Sequence, residues 1–158
     1  MSDKTLRFRQ LHQGPGAFVM PNPWDPGSAR ILAGLGFQAL ATSSGACAGT
    51  LGRRDGKVTR DEALAHARAI VLATDLPVSA DLEKGFGDSP AAAAETIRLA
   101  AEIGLAGGSI EDASGNKDKP LFDFNHAVER VAAAAQAAGG SLVLTARTEN
   151  FQIGRAHV

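Results

Sequence analysis

The sequence predicts an α/β fold built on a parallel sheet, because five short apolar runs are each followed by polar or charged residues and then by a helix-like stretch. Alternating strand and helix favours parallel strands joined by right-handed crossovers. The carboxyl ends of such strands point into one common crevice or barrel mouth. We therefore expect the polar residues that follow the runs to converge. The runs are residues 17–20, 39–41, 77–80, 108–110 and 142–145.

The first predicted helix spans residues 2–12, with Leu6 and Leu11 as its inward side chains. A rigid, proline-rich loop over residues 21–27 follows the first strand, and Ser28 is the predicted N-cap of the second helix. Capping and breaking residues set the limits of the later helices in the same way. The predicted helices span residues 2–12, 29–35, 59–73, 90–103 and 124–138.

Two later helix starts have clear capping signals. Thr59 and Glu62 have the spacing of a capping box, and Ser89 followed by Pro90 is typical of an N-cap with proline in the first turn. The stretch over residues 43–58, which contains several glycines, is predicted to be a long loop. No linker or second domain is indicated.

Composition restricts the class of protein. With 158 residues, 44% hydrophobic and 21% charged, the chain is typical of one globular domain. A net charge of −1, no Tyr and a single Trp argue against a nucleic-acid partner. No apolar run approaches the roughly 20 residues that span a bilayer, and the N-terminal stretch lacks the apolar core of a secretory signal. One cysteine, Cys47, allows no internal disulfide framework, so we expect a cytoplasmic protein without a membrane partner.

Acidic residues follow three of the predicted strands. Asp81 and Glu83, two apart at a strand end, face the same side, where charge repulsion and desolvation both oppose ionisation. A hard cation such as Mg²⁺, with Mn²⁺ as the alternative, would offset both effects. This pair alone is better explained as a solvated acidic loop at a strand end. Asp55, Glu111 and Asp112 occupy comparable positions, and together the acids favour a cation site.

Two further features indicate anion binding. Backbone N–H groups in the turn over residues 42–45 can bind a carboxylate or phosphonate, although a plain strand-to-loop turn explains the sequence as well. Arg147 follows the last apolar run, and its guanidinium can hold a substrate carboxylate through two hydrogen bonds. The alternative for Arg147 is a structural ion pair with Glu149 or Glu111.

Six stretches of the chain together resemble the isocitrate lyase/phosphoenolpyruvate mutase superfamily. They occur in family order at similar spacing and cover nearly all of residues 15–151. Each stretch alone is a weak signal, whereas the set is specific. The stretches are Pro21-Asn-Pro-Trp-Asp25, Ala41-Thr-Ser-Ser-Gly45, Leu51-Gly-Arg-Arg-Asp55, Asp81-Leu-Glu-Lys-Gly-Phe-Gly87, Ser109-Ile-Glu-Asp112 and Thr145-Ala-Arg-Thr-Glu149.

The resemblance implies a (β/α)₈ barrel of the TIM type, of which this chain would supply about five βα units, in a protein that forms homo-oligomers when full length. It implies an Mg²⁺-dependent lyase or mutase that acts on a 2-oxo acid, or on its 2-hydroxy diacid precursor, through an enolate. The bond cleaved or formed would be C–C or P–C. The pattern is more similar to the branch of oxaloacetate decarboxylases and carboxyphosphonoenolpyruvate mutase-like enzymes than to the isocitrate lyases.

The resemblance also implies roles for individual residues. Asp81 would hold the metal, with three further acids acting mainly through metal-bound water. The turn after the second strand would hold the substrate carboxylate, and Arg147 would contact the other anionic end. The implied sets are Arg147, Glu111 and Lys117 for catalysis; Ser43, Ser44, Gly45, Trp24 and Asp55 for substrate binding; and Asp81, Glu83, Asp55 and Glu111 for the metal.

The loop over residues 113–119 departs from the family pattern. It has neither the Cys nor the His of the lyases' catalytic loop, so the isocitrate and methylisocitrate lyase reactions are not expected. In the mutases a lysine precedes an asparagine, whereas here Asn116 precedes Lys117, which argues against mutase activity as well. Of the residues in this loop, Lys117 or Lys119 is the candidate to control access to the site.

Residues 1–151 are expected to form a partial barrel domain and residues 152–158 a non-native tail. The last six residues match the in-frame translation of a common sequencing-library adapter; the alternative is an ordinary flexible tail. A barrel with absent strands has open edges, so we expect this polypeptide to be unstable or to aggregate. Two other functions stay open: an inactive barrel fragment, or a phosphate-binding barrel aldolase or isomerase, which would need a Schiff-base lysine at a strand end.

Overall fold

The computed structural model describes residues 2–149, in which a parallel sheet is covered by helices. The predicted α/β fold class is therefore confirmed. Within this part of the chain the sheet has four strands, which pair in chain order, each parallel to the next. The strands are β1 (Leu40–Ala41), β2 (Val78–Asp81), β3 (Gly107–Glu111) and β4 (Val143–Arg147).

Helices precede and separate the strands, as expected for crossover connections. Within residues 2–149 no helix is both long enough and apolar enough to cross a membrane. The helices are α1 (Asp3–Gln13), α2 (Pro26–Gly34), α3 (Ser44–Thr50), α4 (Arg60–Ala73), α5 (Pro90–Glu102) and α6 (Phe124–Ala138).

The first predicted strand is not a strand in the structure. Residues 17–20 do not form a strand in the structure. The chain that follows them is connected to β1 by a hydrogen bond that the Ala41 N–H donates to the Pro21 carbonyl at 3.1 Å. Pro21 and Pro23, which follow this segment, have no N–H to donate, so neither can add a donor to a ladder beside β1.

The loop predicted over residues 43–58 contains the short helix α3. Ser43 caps it by accepting the Ala46 N–H at 3.3 Å. Small residues with two glycines give α3 little intrinsic helix propensity, and three of its side chains are buried, so packing stabilises it.

Helix caps follow the predictions with one exception. The Thr59–Glu62 capping box and the Ser89 cap are present. The predicted cap of α2 was wrong: Asp25 is the N-cap, and Ser28 is the third helical residue that bonds back to it. Pro26 suits the first helical position, which explains why the helix begins before Ser28.

Helix α1 packs against the amino ends of the strands through Phe8, which is 1% exposed. A Cβ atom at Gly107 would lie 2.4 Å from Phe8 Cε1, so only glycine leaves room for this ring. The prediction that Leu6 faces inward was wrong, since it is 42% exposed, whereas Leu11 is partly buried against the Phe8 cluster. Helix α1 therefore closes the end of the sheet opposite the carboxyl ends of the strands.

The main core lies between the sheet and the helices α2, α4, α5 and α6. Leu40 and Val78 on the strands pack with Ile70 of α4 and Ile97 of α5, and all four are at most 1% exposed. This burial holds the strands in a fixed register. The register places Asp81 beside Ser109 and Glu111 beside Arg147, so the carboxyl ends of the strands lie together.

Candidate active site

The carboxyl ends of the strands border one polar cavity of about 500 Å³. The residues around it come from the turn after β1, the loop after α3, and the ends of β2, β3 and β4. This is the convergence that the alternating pattern predicts for parallel strands. The lining residues are Ser43, Ser44, Asp55, Gly56, Asp81, Glu83, Glu111, Arg147 and Glu149.

Asp81 is held in place by backbone donors from two elements. Its Oδ2 accepts the Ser44 N–H at 3.1 Å, and its Oδ1 accepts the Glu83 N–H at 3.1 Å. The Asp81 N–H in turn donates to Thr42 Oγ1 at 3.2 Å. The carboxylate therefore has a fixed orientation at the floor of the cavity, and the Ser44 amide, which could otherwise bind a substrate anion, is already engaged.

Glu83 lies in an unusual backbone conformation beside Asp81. Its φ of 50° is in the left-handed region, which is costly for a residue other than glycine and is typical of functional sites. Its carbonyl accepts the Glu111 N–H at 3.0 Å, which ties it to β3. Burial raises the pKa of the Glu83 carboxyl, and the negative charges of Asp55 and Asp81 raise it further.

Among the described residues that line the cavity, the cation is Arg147. Its Nε lies 2.7 Å from Glu149 Oε1, its Nη1 lies 3.6 Å from Asp81 Oδ1, and its Nη2 contacts Glu111 Oε2. Burial of the guanidinium opposes its charge, but the attraction of the three carboxylates is stronger and raises its pKa. The two alternatives for Arg147 are therefore not exclusive, because it faces the cavity while it forms ion pairs with Glu111 and Glu149.

The pKa of Glu111 is raised to about 7. Burial is the main cause, and the neighbouring charges of Glu149 and Asp81 add to it, while Arg147 acts in the opposite direction. Desolvation thus outweighs the ion pair with Arg147. The cavity concentrates more negative charge than one guanidinium neutralises.

The donor set of the cavity fits a hard divalent cation. Asp55, Asp81, Glu83 and Glu111 supply carboxylate oxygens, and a cation would offset the burial and the mutual repulsion that raise the pKa values of Glu83 and Glu111. Among residues 2–149 no group of three or more His, Cys, Asp or Glu side chains is arranged to ligate one metal directly. This arrangement suits Mg²⁺, which typically keeps several waters and takes one or two carboxylates.

The structure brings most, but not all, of the predicted site residues together. The cavity is lined by Ser43, Ser44, Asp55, Asp81, Glu83, Glu111 and Arg147. Gly45 lies just behind it, since a Cβ there would be 3.6 Å from Asp55 Oδ2.

Three predicted residues lie elsewhere. Trp24 is 57% exposed and packs near Gly49, while its carbonyl is bound by His66 at 2.7 Å. Lys117 is exposed in the loop after β3. Asp112 binds the Glu149 N–H at 2.8 Å and so anchors the chain after β4.

Glu149 was expected to follow the fifth run with Arg147 and to form an ion pair with it, but it was not predicted as a site residue, and in the structure it lines the cavity. It lies two residues after Arg147, and the alternation of a strand places such residues on one side. The sequence therefore contains a signal for Glu149. Gly56, which also lines the cavity, has no comparable signal.

Comparison with known proteins agrees with this geometry. The sequence model of the family described as phosphoenolpyruvate phosphomutase matches residues 8–158. The chain belongs to the phosphoenolpyruvate mutase/isocitrate lyase superfamily. Its relatives include 2-methylisocitrate lyase of Bacillus subtilis strain 168, which is 32% identical over 150 residues, covering 90% of this chain and 49% of the relative.

Solved structures of the superfamily have the same fold. A candidate lyase/mutase from Burkholderia cenocepacia J2315 is 53% identical with a TM-score of 0.94, covering 98% of this chain and 57% of that one. Phosphonopyruvate hydrolase, solved with oxalate and Mg²⁺, has a TM-score of 0.91 at 22% identity, covering 98% of this chain and 56% of that one. These neighbours are TIM-barrel proteins, which confirms the predicted fold family.

The relatives include proteins named as lyases and one named as a candidate phosphonomutase, as expected from the six stretches. The chain spans about half the length of the curated relatives that it matches; for example, it covers 48% of a Mycobacterium tuberculosis relative and 49% of the Bacillus lyase.

Proposed function

We propose that this chain supplies the acidic part of the active site of an Mg²⁺-dependent lyase or mutase-type enzyme. The substrate would be a 2-oxo acid or its 2-hydroxy diacid precursor, and the reaction would pass through an enolate as a C–C or P–C bond is cleaved or formed. The observation that carries the proposal is the cavity in which five carboxylates and Arg147 meet near the strand ends.

The acidic residues of the cavity would bind the cation in two ways, directly or through water. Asp81, fixed by two backbone N–H donors, would bind the cation directly. Glu83, Asp55 and Glu111 would act mainly through water. A bound Mg²⁺, or Mn²⁺, would supply electrostatic stabilisation of the negative charge that develops on the substrate oxygen.

The substrate's anionic groups would be held by the cations and dipoles of the cavity. Arg147 would contact one anionic end, exchanging one of its carboxylate partners for the substrate. Ser43 and Ser44 also line the cavity and would offer hydroxyl groups to a carboxylate, with Gly45 just behind them. Trp24 and Lys117, which lie outside the cavity, would contribute only after a movement of their loops, and we assign them no contact.

The proton donor of the reaction is not assigned within residues 2–149. No Cys or His belongs to the cavity lining of this part of the chain. The loop after β3 is closed on itself by the Ala113–Leu121 bridge and by the Asn116 N–H, which donates to Ser114 Oγ at 2.9 Å. The chemistry therefore differs from that of a lyase with a Cys and a His in this loop.

The other functions predicted from the sequence receive less support. A Schiff-base aldolase would need a lysine at a strand end, and the described strands end in Ala41, Asp81, Glu111 and Arg147. Homo-oligomerisation of the complete protein is part of the same proposal, as is a small 2-oxo acid as partner.

The test is metal-dependent release of pyruvate or another 2-oxo acid from a panel of 2-hydroxy and 2-oxo diacids by the complete protein. We expect turnover that EDTA abolishes and that Mg²⁺ restores. Turnover that persists in EDTA, or that Asp81→Ala leaves unchanged, would refute the proposal.

A further inference from the structure

The loop that joins β2 to α5 has a backbone that needs external support. Between Asp81 and Ser89, three residues have φ in the left-handed region: Glu83 at 50°, Gly85 at 82° and Phe86 at 57°. Glycine adopts such values readily, whereas Glu83 and Phe86 do not. Conformations of this kind persist only where surrounding contacts determine them.

Arg130 supplies these contacts from α6. Its side chain is 1% exposed, and its guanidinium donates to the carbonyls of Gly87 at 2.8 Å and Ser89 at 3.3 Å. It also binds the carbonyls of Lys84 and Asp88. One side chain therefore contacts four backbone acceptors within six consecutive residues of the loop.

The chemistry of Arg130 is not that of an ordinary ion pair. None of the ion pairs formed by residues 2–149 includes Arg130, and its Nε has no hydrogen-bond partner. Its Cζ lies 4.5 Å from the centre of the Phe122 ring, a cation–π contact. Burying a charge without a carboxylate is costly, so simple packing of α6 against α5 would be served better by an apolar side chain.

The position of Glu83 depends on two consecutive carbonyls. The Glu83 carbonyl accepts the Glu111 N–H at 3.0 Å, and the next carbonyl, that of Lys84, accepts from Arg130. The first bond fixes the loop to β3 and the second fixes it to α6. Together they hold the Glu83 backbone in its left-handed conformation, with its side chain in the cavity.

We propose that Arg130 is a positioning residue that holds the loop over residues 83–89 so that Glu83 faces Asp81 across the cation site. This inference rests on the proposed function for its link to Mg²⁺, but its effect on the loop does not. Arg130 contacts neither the cavity nor a substrate, and it acts only through the backbone of the loop.

The experiment compares Arg130→Met and Arg130→Lys with the wild type by two readouts. Hydrogen exchange of the peptide covering residues 82–89, measured without metal, reports on the loop, and calorimetric titration with Mg²⁺ reports on the site. Leu105→Ala is the control, because Leu105 is 2% exposed and precedes β3 at the opposite end of the sheet. All measurements are made well below the lowest unfolding temperature of the set.

We expect Arg130→Met to accelerate exchange in this peptide about tenfold and to weaken Mg²⁺ binding about tenfold, as loss of a supporting contact behind a ligand does. Arg130→Lys, which keeps the charge and donates fewer bonds, should fall between it and the wild type. Leu105→Ala should lower the unfolding temperature yet leave both readouts at the wild-type level.

Wild-type exchange in the Arg130→Met loop would overturn the positioning role, whatever the metal result. Equal effects of Leu105→Ala and Arg130→Met would overturn it as well, since general destabilisation would then explain both. Absence of Mg²⁺ binding by the wild type would instead refute the proposed function, while the exchange comparison would still decide the role of Arg130.

Discussion

The Ser44 N–H donates to Asp81 Oδ2 at 3.1 Å and joins the turn after β1 to the end of β2. Because Asp81 Oδ1 also accepts the Glu83 N–H, both oxygens of this carboxylate are oriented by backbone donors. An acid held in this way loses little further freedom when it binds a cation, which is the property expected of a preorganised site.

Arg147 should neutralise the carboxylates of the cavity in the absence of metal. We predict that Arg147→Met lowers the unfolding temperature by about 3–6 °C, because Asp81, Glu111 and Glu149 lose their shared cation. Addition of Mg²⁺ should raise the unfolding temperature of this variant more than that of the wild type, since the cation replaces the missing charge.

Arg98→Met is the matched control for Arg147→Met. Arg98 pairs with Glu95 and Glu102 on the exposed surface of α5, where an ion pair contributes little to stability. Equal destabilisation by the two variants, or a Mg²⁺ effect that Arg147→Met does not enlarge, would contradict the role assigned to Arg147.

Gly107 should be essential for the packing of α1 against the sheet. A Cβ there would lie 2.4 Å from Phe8 Cε1 and 2.8 Å from Ser79 Oγ, so Gly107→Ala should displace the ring. We predict a loss of about 1–3 kcal/mol in the free energy of unfolding, measured by denaturant titration. Gly34→Ala is the control, because a Cβ at Gly34 meets nothing within 4 Å, and it should leave stability equal or raise it by about 0.5–1 kcal/mol. Similar losses in the two variants would show that the close approach of Phe8 is not the cause.

The capping box of α4 should make stability depend on pH in the acid range. The Thr59 N–H, followed by the Arg53 guanidinium, lowers the pKa of Glu62 from its usual 4.5 to about 2. A carboxylate whose pKa is lower in the folded state contributes stability above its unfolded pKa, and this contribution is lost as pH falls through the folded pKa.

Thermal unfolding of the wild type and Glu62→Gln across the acid range measures this contribution. The difference in unfolding temperature should be constant above pH 4.5 and should decline as the pH approaches 2. A difference that does not vary with pH would show that the charge of Glu62 is irrelevant to the cap.

The periodic part of the fold could be predicted from the sequence because local chemistry determines it. Buried apolar runs identified β1 to β4 within a few residues, and the Thr59–Glu62 and Ser89 caps identified the starts of α4 and α5. Parallel topology then predicted that Asp81, Glu111 and Arg147 lie at a common edge of the sheet, as they do in the structure.

The remainder depends on contacts that a sequence does not contain. Helix α3 forms from residues with weak propensity, because burial of Ala46, Cys47 and Ala48 stabilises it. The burial of Arg130 was not predicted, since a lone arginine in an amphipathic helix is typical of an exposed face. The separation of Trp24 from the cavity is likewise set by the tertiary path of its loop.

The central claim is that Asp81 anchors a divalent cation among the acids of this cavity. Calorimetric titration with Mg²⁺, with and without oxalate, on the wild type, Asp81→Asn and Glu102→Gln tests it most directly. Glu102 is a matched control because it is an exposed acid at the carboxyl end of α5 that pairs with Arg98. We predict that the wild type and Glu102→Gln bind Mg²⁺ alike, more tightly with oxalate, and that Asp81→Asn binds at least about tenfold more weakly. Absence of Mg²⁺ binding by the wild type with oxalate present, or wild-type affinity in Asp81→Asn, would contradict the claim.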